Sequence, residues 1–163
     1  MADKKITNEI SANYKLVGLA TSLKEYKLCY YLNIFLNCDF QKLNDLVFEP
    51  TDRTRAVSFS VFKAGNDDDK NQFIVFSNKS LSEILLPEIS NFDYLIQVNG
   101  KYDDEEMKSL LTGVKQFPGV LMTAEIPLRK IKRKDRLIYR EEKPAPKPTF
   151  KRKFKLSIKT YAS

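Results

Sequence analysis

The chain predicts an α+β fold, a two-layer sandwich in which two main helices cover one face of a mixed or mainly antiparallel sheet of five to six strands. Short runs of apolar and polar residues that alternate or are largely apolar recur up to residue 126, and two longer stretches carry apolar residues at helical spacing. Two helices cannot cover both faces of so wide a sheet. The second face is therefore expected to be partly wet or to meet a partner. Residues 1–140 read as a single α+β domain and 141–163 as a basic Pro/Lys-rich extension. A body of this length buries roughly two-thirds of its unfolded surface, enough to fold without metal or disulfide.

Tyr14 to Thr21 opens as a strand, with apolar residues at 14, 16, 17, 19 and 20. Ser22-Leu23-Lys24-Glu25 has the form of a capping box, and Leu28, Leu32, Phe35 and Leu36 share one face, so a helix is expected over Leu23–Leu36. Asn37, Cys38 and Asp39 end it. Leu46-Val47-Phe48 is a short strand before Glu49-Pro50. Arg55 to Lys63 alternates Val57, Phe59 and Val61 against Ser58, Ser60 and Phe62, and pairs as a hairpin with Gln72–Phe76 across the loop Gly65–Asn71. Ser80-Leu81-Ser82-Glu83 is a second capping box whose helix Pro87 confines to little more than a turn.

Tyr94–Val98 is nearly all apolar, the mark of a central strand covered on both faces. Asp103 or Asp104 caps a helix to about Gln116 with Met107, Leu110, Leu111 and Val114 inward, and acids crowd its positive end. Phe117-Pro118-Gly119 breaks that helix, and Val120–Ile126 is the last strand of the body. Beyond it, Arg129–Arg136 reads as an exposed strand end or a loop, with Leu137-Ile138-Tyr139 returning to the core. Lys143–Pro148 is a stiff polyproline-type spacer. Phe154, Leu156 and Ile158 alternate with Lys153, Lys155 and Lys159, a strand pattern that needs a neighbour to supply an edge.

The chain has no His, which removes the commonest general base and zinc ligand together. Cys29 and Cys38 form neither a Cys-x-x-Cys pair nor a zinc spacing, so both read as reduced, core or near-core residues of a cytoplasmic protein. No apolar run approaches the roughly 18 residues that span a bilayer. The five glycines, at 18, 65, 100, 113 and 119, cannot build a dinucleotide or P-loop cradle. Asp67-Asp68-Asp69 lacks the alternating ligands of an EF-hand. No catalytic residue, metal ligand or cofactor is assigned.

Leu86-Pro87-Glu88-Ile89-Ser90-Asn91-Phe92-Asp93-Tyr94 resembles the signature of the IPExxxVDY family of small bacterial proteins. Pro87, Glu88, Asp93 and Tyr94 stand as in that motif, while Leu86 and Phe92 replace its Ile and Val. Tyr26-Lys27-Leu28 and Leu32-Asn33 are similar to the family's early helix. The resemblance implies a small bacterial cytosolic protein and brings no reaction, ligand or catalytic residue with it. Physically, Glu88 or Asp93 accepts hydrogen bonds from turn amides while Phe92 and Tyr94 pack. The sharper alternative has Glu88 and Asp93 converge as a carboxylate pair able to hold Mg²⁺ or share a proton.

The net charge of +7 is unevenly spread. Residues 1–128 carry 14 basic and 18 acidic side chains, whereas residues 129–163 carry 14 basic and 3 acidic. Positive potential therefore sits at the C-terminal end, where Lys132, Arg133, Lys134, Lys151, Arg152, Lys153 and Lys155 suit phosphates and Phe150, Phe154 and Tyr161 suit stacking on unpaired bases. The expectation is a non-catalytic binding or adaptor protein whose extension contacts RNA. The alternatives are a protein-interaction module, through a sheet edge, a homodimer or strand addition by the tail, and binding of an anionic membrane surface.

Overall fold

The computed structural model describes residues 14–48, 56–65, 71–81 and 83–137. In chain order the elements are β1 (Tyr14–Thr21), α1 (Glu25–Leu36), β2 (Gln41–Lys42), β3 (Leu46–Phe48), β4 (Val57–Phe59), β5 (Val61–Ala64), β6 (Asn71–Ser77), β7 (Tyr94–Gly100), α2 (Asp104–Lys115) and β8 (Val120–Ile126). Single 3₁₀ turns stand at Pro87–Ile89, Leu128–Lys130 and Lys134–Leu137. The main sheet runs β2-β5-β6-β7-β1-β8 with every pairing antiparallel, and β3 and β4 make a small second sheet. The fold is α+β, as the sequence predicts.

The period-two pattern divides the sheet into two apolar faces. Val17, Leu19, Val75, Ile96 and Val98 lie with Leu28 and Leu32 of α1 and Met107, Leu110 and Val114 of α2, so both helices cover one face. Leu16, Ile74, Phe76, Leu95 and Ile126 point the other way. That second face is neither wet nor left for a partner. Leu85, Leu86, Ile89 and Phe92 from the β6–β7 connection, and Ile131 and Leu137 from the turns after β8, pack on it. Phe59 of β4, with Leu46 and Phe48 of β3, joins them, so irregular chain and the small second sheet together do the work that the helix count left undone.

Close packing there depends on a glycine. A Cβ added to Gly18 in β1 would lie 2.6 Å from the ring of Phe92 and 2.8 Å from Ile126, so the ring rests directly on bare backbone.

Several local expectations are corrected. The capping box at Ser22 does not form: α1 starts at Glu25 behind Lys24, which makes no side-chain cap bond. Tertiary contacts claim that corner instead, since Thr21 Oγ1 donates to the Gly119 carbonyl at 2.8 Å and accepts from the Leu23 amide at 3.0 Å. The second box closes a turn rather than a helix, with the Glu83 amide donating to Ser80 Oγ at 3.1 Å. Pro87 then begins a 3₁₀ turn instead of ending a helix, as suits a residue without an N–H at a first helical position. The strand expected over Arg55–Lys63 breaks at Ser60 into β4 and β5, which belong to different sheets, and Arg55 lies outside the described residues. By contrast, Asp103 caps α2 as expected, its carboxylate accepting from the Glu106 amide at 2.7 Å, and Asn37 ends α1 in the left-handed region.

The β6–β7 connection is tied down by one fully buried amide. Asn78 Nδ2 donates to the Ile89 carbonyl at 3.1 Å and the Phe92 carbonyl at 2.9 Å, and Asn78 Oδ1 accepts from the Leu86 amide at 2.9 Å. Its backbone adds bonds to Leu85 and Asp93. Asn78→Asp keeps the shape but removes both donors and buries a charge, so it is expected to destabilise the fold by about 2–4 kcal/mol. Urea unfolding measures this as a lower midpoint at constant slope; an unmoved midpoint would show that the connection is held by other means.

Candidate functional site

The motif segment Leu86–Tyr94 crosses the end of the sheet where β1 and β6 finish and β7 begins. Its side chains divide by environment. Leu86 is fully buried and Phe92 nearly so, Asp93 and Tyr94 are half-buried, and Pro87 and Glu88 are exposed. Asp93 Oδ2 accepts from the Thr21 amide at 2.8 Å, and Asp93 Oδ1 pairs with Lys79 Nζ at 2.9 Å. The Asp93 amide donates to the Leu19 carbonyl at 2.7 Å, and its carbonyl accepts from the Asn78 amide at 2.9 Å. Asp93 therefore clamps the ends of β1 and β6 together. Tyr94 reaches across to α1, where its hydroxyl donates to the Leu23 carbonyl at 2.9 Å.

Such an arrangement is the packing and turn-amide role that the residue types allow. The carboxylate pair is not what the structure brings together: Glu88 sits exposed on its 3₁₀ turn, while both Asp93 oxygens are engaged. Among the described residues no three His, Cys, Asp or Glu side chains gather as metal ligands.

Beside Tyr94 and Lys79 an open cleft of about 760 Å³ runs past the start of α1, lined also by Lys24, Glu25, Ser60 and Ser77. Glu25 Oε2 is buried next to it without a hydrogen-bond partner among the described residues. Burial, then the nearby Glu25, Asp93 and Cys29, push the Tyr94 hydroxyl up to about 12. Burial, then Glu25 and Cys38, push the Cys29 thiol up to about 12. Neither group is a nucleophile at neutral pH, because the reactive anion is the form that burial disfavours.

The basic end begins on firm footing. After β8 the chain makes two 3₁₀ turns, and Ile131 and Leu137 are buried in the second face, so of the two expectations the loop holds and the strand end does not, and Leu137 does return to the core. Arg136 is taken up structurally: Nη1 donates to the Leu85 carbonyl at 2.6 Å, and its guanidinium lies 5.2 Å from the Phe48 ring centroid. Arg129, Lys130, Lys132 and Arg133 project from the same turns into solvent, and Lys134 is half-buried. Among the described residues no acid pairs with Lys132, Arg133 or Lys134. Phe150, Lys151, Arg152, Lys153, Phe154 and Lys155 lie outside the described residues.

The sequence reading missed Asn78, Thr21 and Lys79, which hold the motif segment in place. Asn78-Lys79-Ser80 reads as an ordinary turn, and nothing local marks the first of these as buried. No helix among the described residues is long and apolar enough to cross a membrane. No family model matches the chain, and no curated protein matches it.

Two predictions follow the geometry. Asp93→Ala is expected to destabilise by about 1–3 kcal/mol through the orphaned Thr21 amide and the freed lysine, whereas Glu88→Gln is expected to stay within about 0.5 kcal/mol. Thermal unfolding of both variants checks this, and equal losses would overturn the structural assignment of Asp93. The second concerns alkali. Cys29 and Tyr94 ionise later in the folded chain than their ordinary values of 9.0 and 10.0. Their stabilising contribution is whole below those values and is lost as pH rises through about 12. Denaturant midpoints should therefore fall on going from about pH 8 to about pH 11, and fall less in Tyr94→Phe.

Proposed function

We propose that this protein is a cytosolic bacterial binding protein of the IPExxxVDY kind, non-catalytic, whose basic C-terminal region contacts single-stranded RNA. One observation carries the reading. Lys132 and Arg133 stand exposed, with Lys134 beside them, on turns anchored through Ile131 and Leu137, without acidic partners among the described residues. Lysines fixed to a rigid base hold their charge at a constant place, which favours phosphate contact over a merely solubilising role. Lys151, Arg152, Lys153 and Lys155 extend that charge along the chain, and Phe150 and Phe154 supply rings on which bases stack. The motif similarity at Leu86–Tyr94 supports the family assignment, since each motif side chain that is buried has a definite packing or hydrogen-bonding task.

A second reading has its own observation. Tyr26, Tyr30 and Ile34 lie four residues apart along α1 and are 69%, 56% and 65% exposed, an apolar stripe suited to a protein partner.

Fluorescence anisotropy with a labelled single-stranded RNA homopolymer tests the first against the second. Affinity should fall with salt at a log-log slope of about −0.7 per phosphate neutralised. Replacing Lys132, Arg133 and Lys134 together by Ala should lower affinity at least about tenfold and make the slope shallower by about 2. Removal of residues 141–163 should weaken binding further. Copurification of a protein in a salt-insensitive manner, surviving that truncation and lost in Tyr30→Glu, would overturn RNA in favour of the helical stripe.

A further inference from the structure

The two edges of the main sheet are finished differently. At one, β2 is two residues long, polar and exposed, and it carries Lys42, so it offers little for another strand to join. At the other, β8 runs for seven residues without Lys or Pro, hydrogen-bonded to β1 on its inner side and to no strand among the described residues on its outer side. Leu121 and Met122 there are 75% and 38% exposed. An open edge of this length is a template for a further strand.

Backbone directions define what is open. The Leu19 carbonyl accepts from the Asp93 amide and the Thr21 amide donates to the Asp93 carboxylate, so these alternate residues of β1 turn their polar groups toward β7. Gly18 and Leu16 then turn theirs toward β8, where they lie opposite Ala124 and Ile126. Along β8 the outward N–H and C=O groups therefore belong to Thr123 and Glu125. The register with β1 shifts at Ala20/Thr21, which leaves Leu121 out of the ladder and bounds the regular edge to Met122–Ile126. Thr123 Oγ1 donates to the Leu111 carbonyl at 3.0 Å, which sets α2 above this edge.

We propose that a second copy of this chain occupies the edge, β8 pairing antiparallel with β8 about a twofold axis that passes through Ala124 normal to the sheet. The strand is self-complementary in that register: Ala124 faces itself, Thr123 faces Glu125, Met122 faces Ile126, and exposed Leu121 faces exposed Pro127. Thr123 and Glu125 then exchange both backbone bonds, and the symmetry repeats the exchange. Ala124 falls at a non-hydrogen-bonded position, where Cα atoms approach to about 4.5 Å and a small side chain fits. Charge is complementary as well. Glu125 of the second copy comes to lie beside Leu111, with exposed Lys108 and Lys115 one turn to either side on that flank of α2. An axis at Glu125 would instead set two carboxylates face to face, and one at Thr123 would set Glu125 against Leu121. A strand pair of this size buries less than the roughly 1,200 Å² at which standard specific interfaces begin, so the dimer is a reversible one. The inference goes beyond RNA binding and is compatible with it. A twofold normal to the sheet keeps the basic turns of both copies on one face, since Ile131 fastens each to the second face, and a single strand could then engage both.

Sedimentation velocity of the nuclease-treated full chain tests it. Between about 1 μM and about 500 μM the natural chain should pass from monomer to dimer. Glu125→Pro, which removes an outward donor and no bond to β1, should raise the dissociation constant at least about tenfold. Under mild oxidation in a Cys38→Ser background, Ala124→Cys should give a disulfide-linked dimer and Thr123→Cys should not, because only the first pair falls within the roughly 4.4–6.8 Å between Cα atoms that a disulfide spans. A monomer at every concentration, or an association that Glu125→Pro leaves unchanged, would overturn the pairing. Absence of linkage through Ala124→Cys would overturn the register. Replacing Lys132, Arg133 and Lys134 together by Ala should change the dissociation constant of the dimer less than about threefold, so failure of this inference and failure of the RNA reading are separately visible.

Discussion

The carboxamide of Asn78 is the constraint on which the rest of this structure depends. A sheet with helices on one side needs cover on the other, and here much of the cover is the irregular β6–β7 connection, where the Leu86 amide and the Phe92 carbonyl have no ladder or helix to join. Asn78 supplies what is missing, two donors and an acceptor at one buried point, satisfied by Ile89, Phe92 and Leu86. With those bonds made, Leu85, Leu86, Ile89 and Phe92 can turn inward without stranding polar atoms. An aliphatic residue of similar volume would fill the space but take the partner from the Leu86 amide and the Phe92 carbonyl, while the Ile89 carbonyl would keep its bond from the Phe92 amide.

The motif residues gain meaning from that frame. The Phe92 ring packs against Gly18, Asp93 receives the Thr21 amide and Lys79, and Tyr94 ties the strand to the start of α1. Each links β7 or its approach to a different neighbour, so the segment acts as a keystone at one end of the sheet. The neighbouring cleft inherits its walls from the same contacts, since Lys79 and Tyr94 line it. Of the groups that line it, the Tyr94 hydroxyl is held by the Leu23 carbonyl and Lys79 by Asp93.

Charge follows a separate logic. The basic turns after β8 are fastened by apolar residues and by Arg136, which gives its guanidinium to the Leu85 carbonyl and the Phe48 ring. One arginine thus joins the basic end to the connection that Asn78 organises, and its neighbours keep their charge in solvent. The basic turns and the cover of the second face are therefore built on the same few residues.

What the sequence determined by itself is what depends on short-range pattern. Largely apolar runs in Tyr14–Thr21, Gln72–Phe76 and Tyr94–Val98, alternation in Val120–Ile126, period 3.6 in the two helices and the Asp103 cap are local and legible, and with them the α+β class. Capping boxes at Ser22 and Ser80 were equally legible and did not become helix starts, because Thr21 is bonded to Gly119 and because Ile84 bridges to Lys79. The division of Arg55–Lys63 between two sheets, the cover of the second face and the burial of Asn78 were decided by tertiary structure alone. In each case the deciding partner lies many residues away, and the preference of a single residue carries no information about which distant carbonyl, amide or ring will meet it.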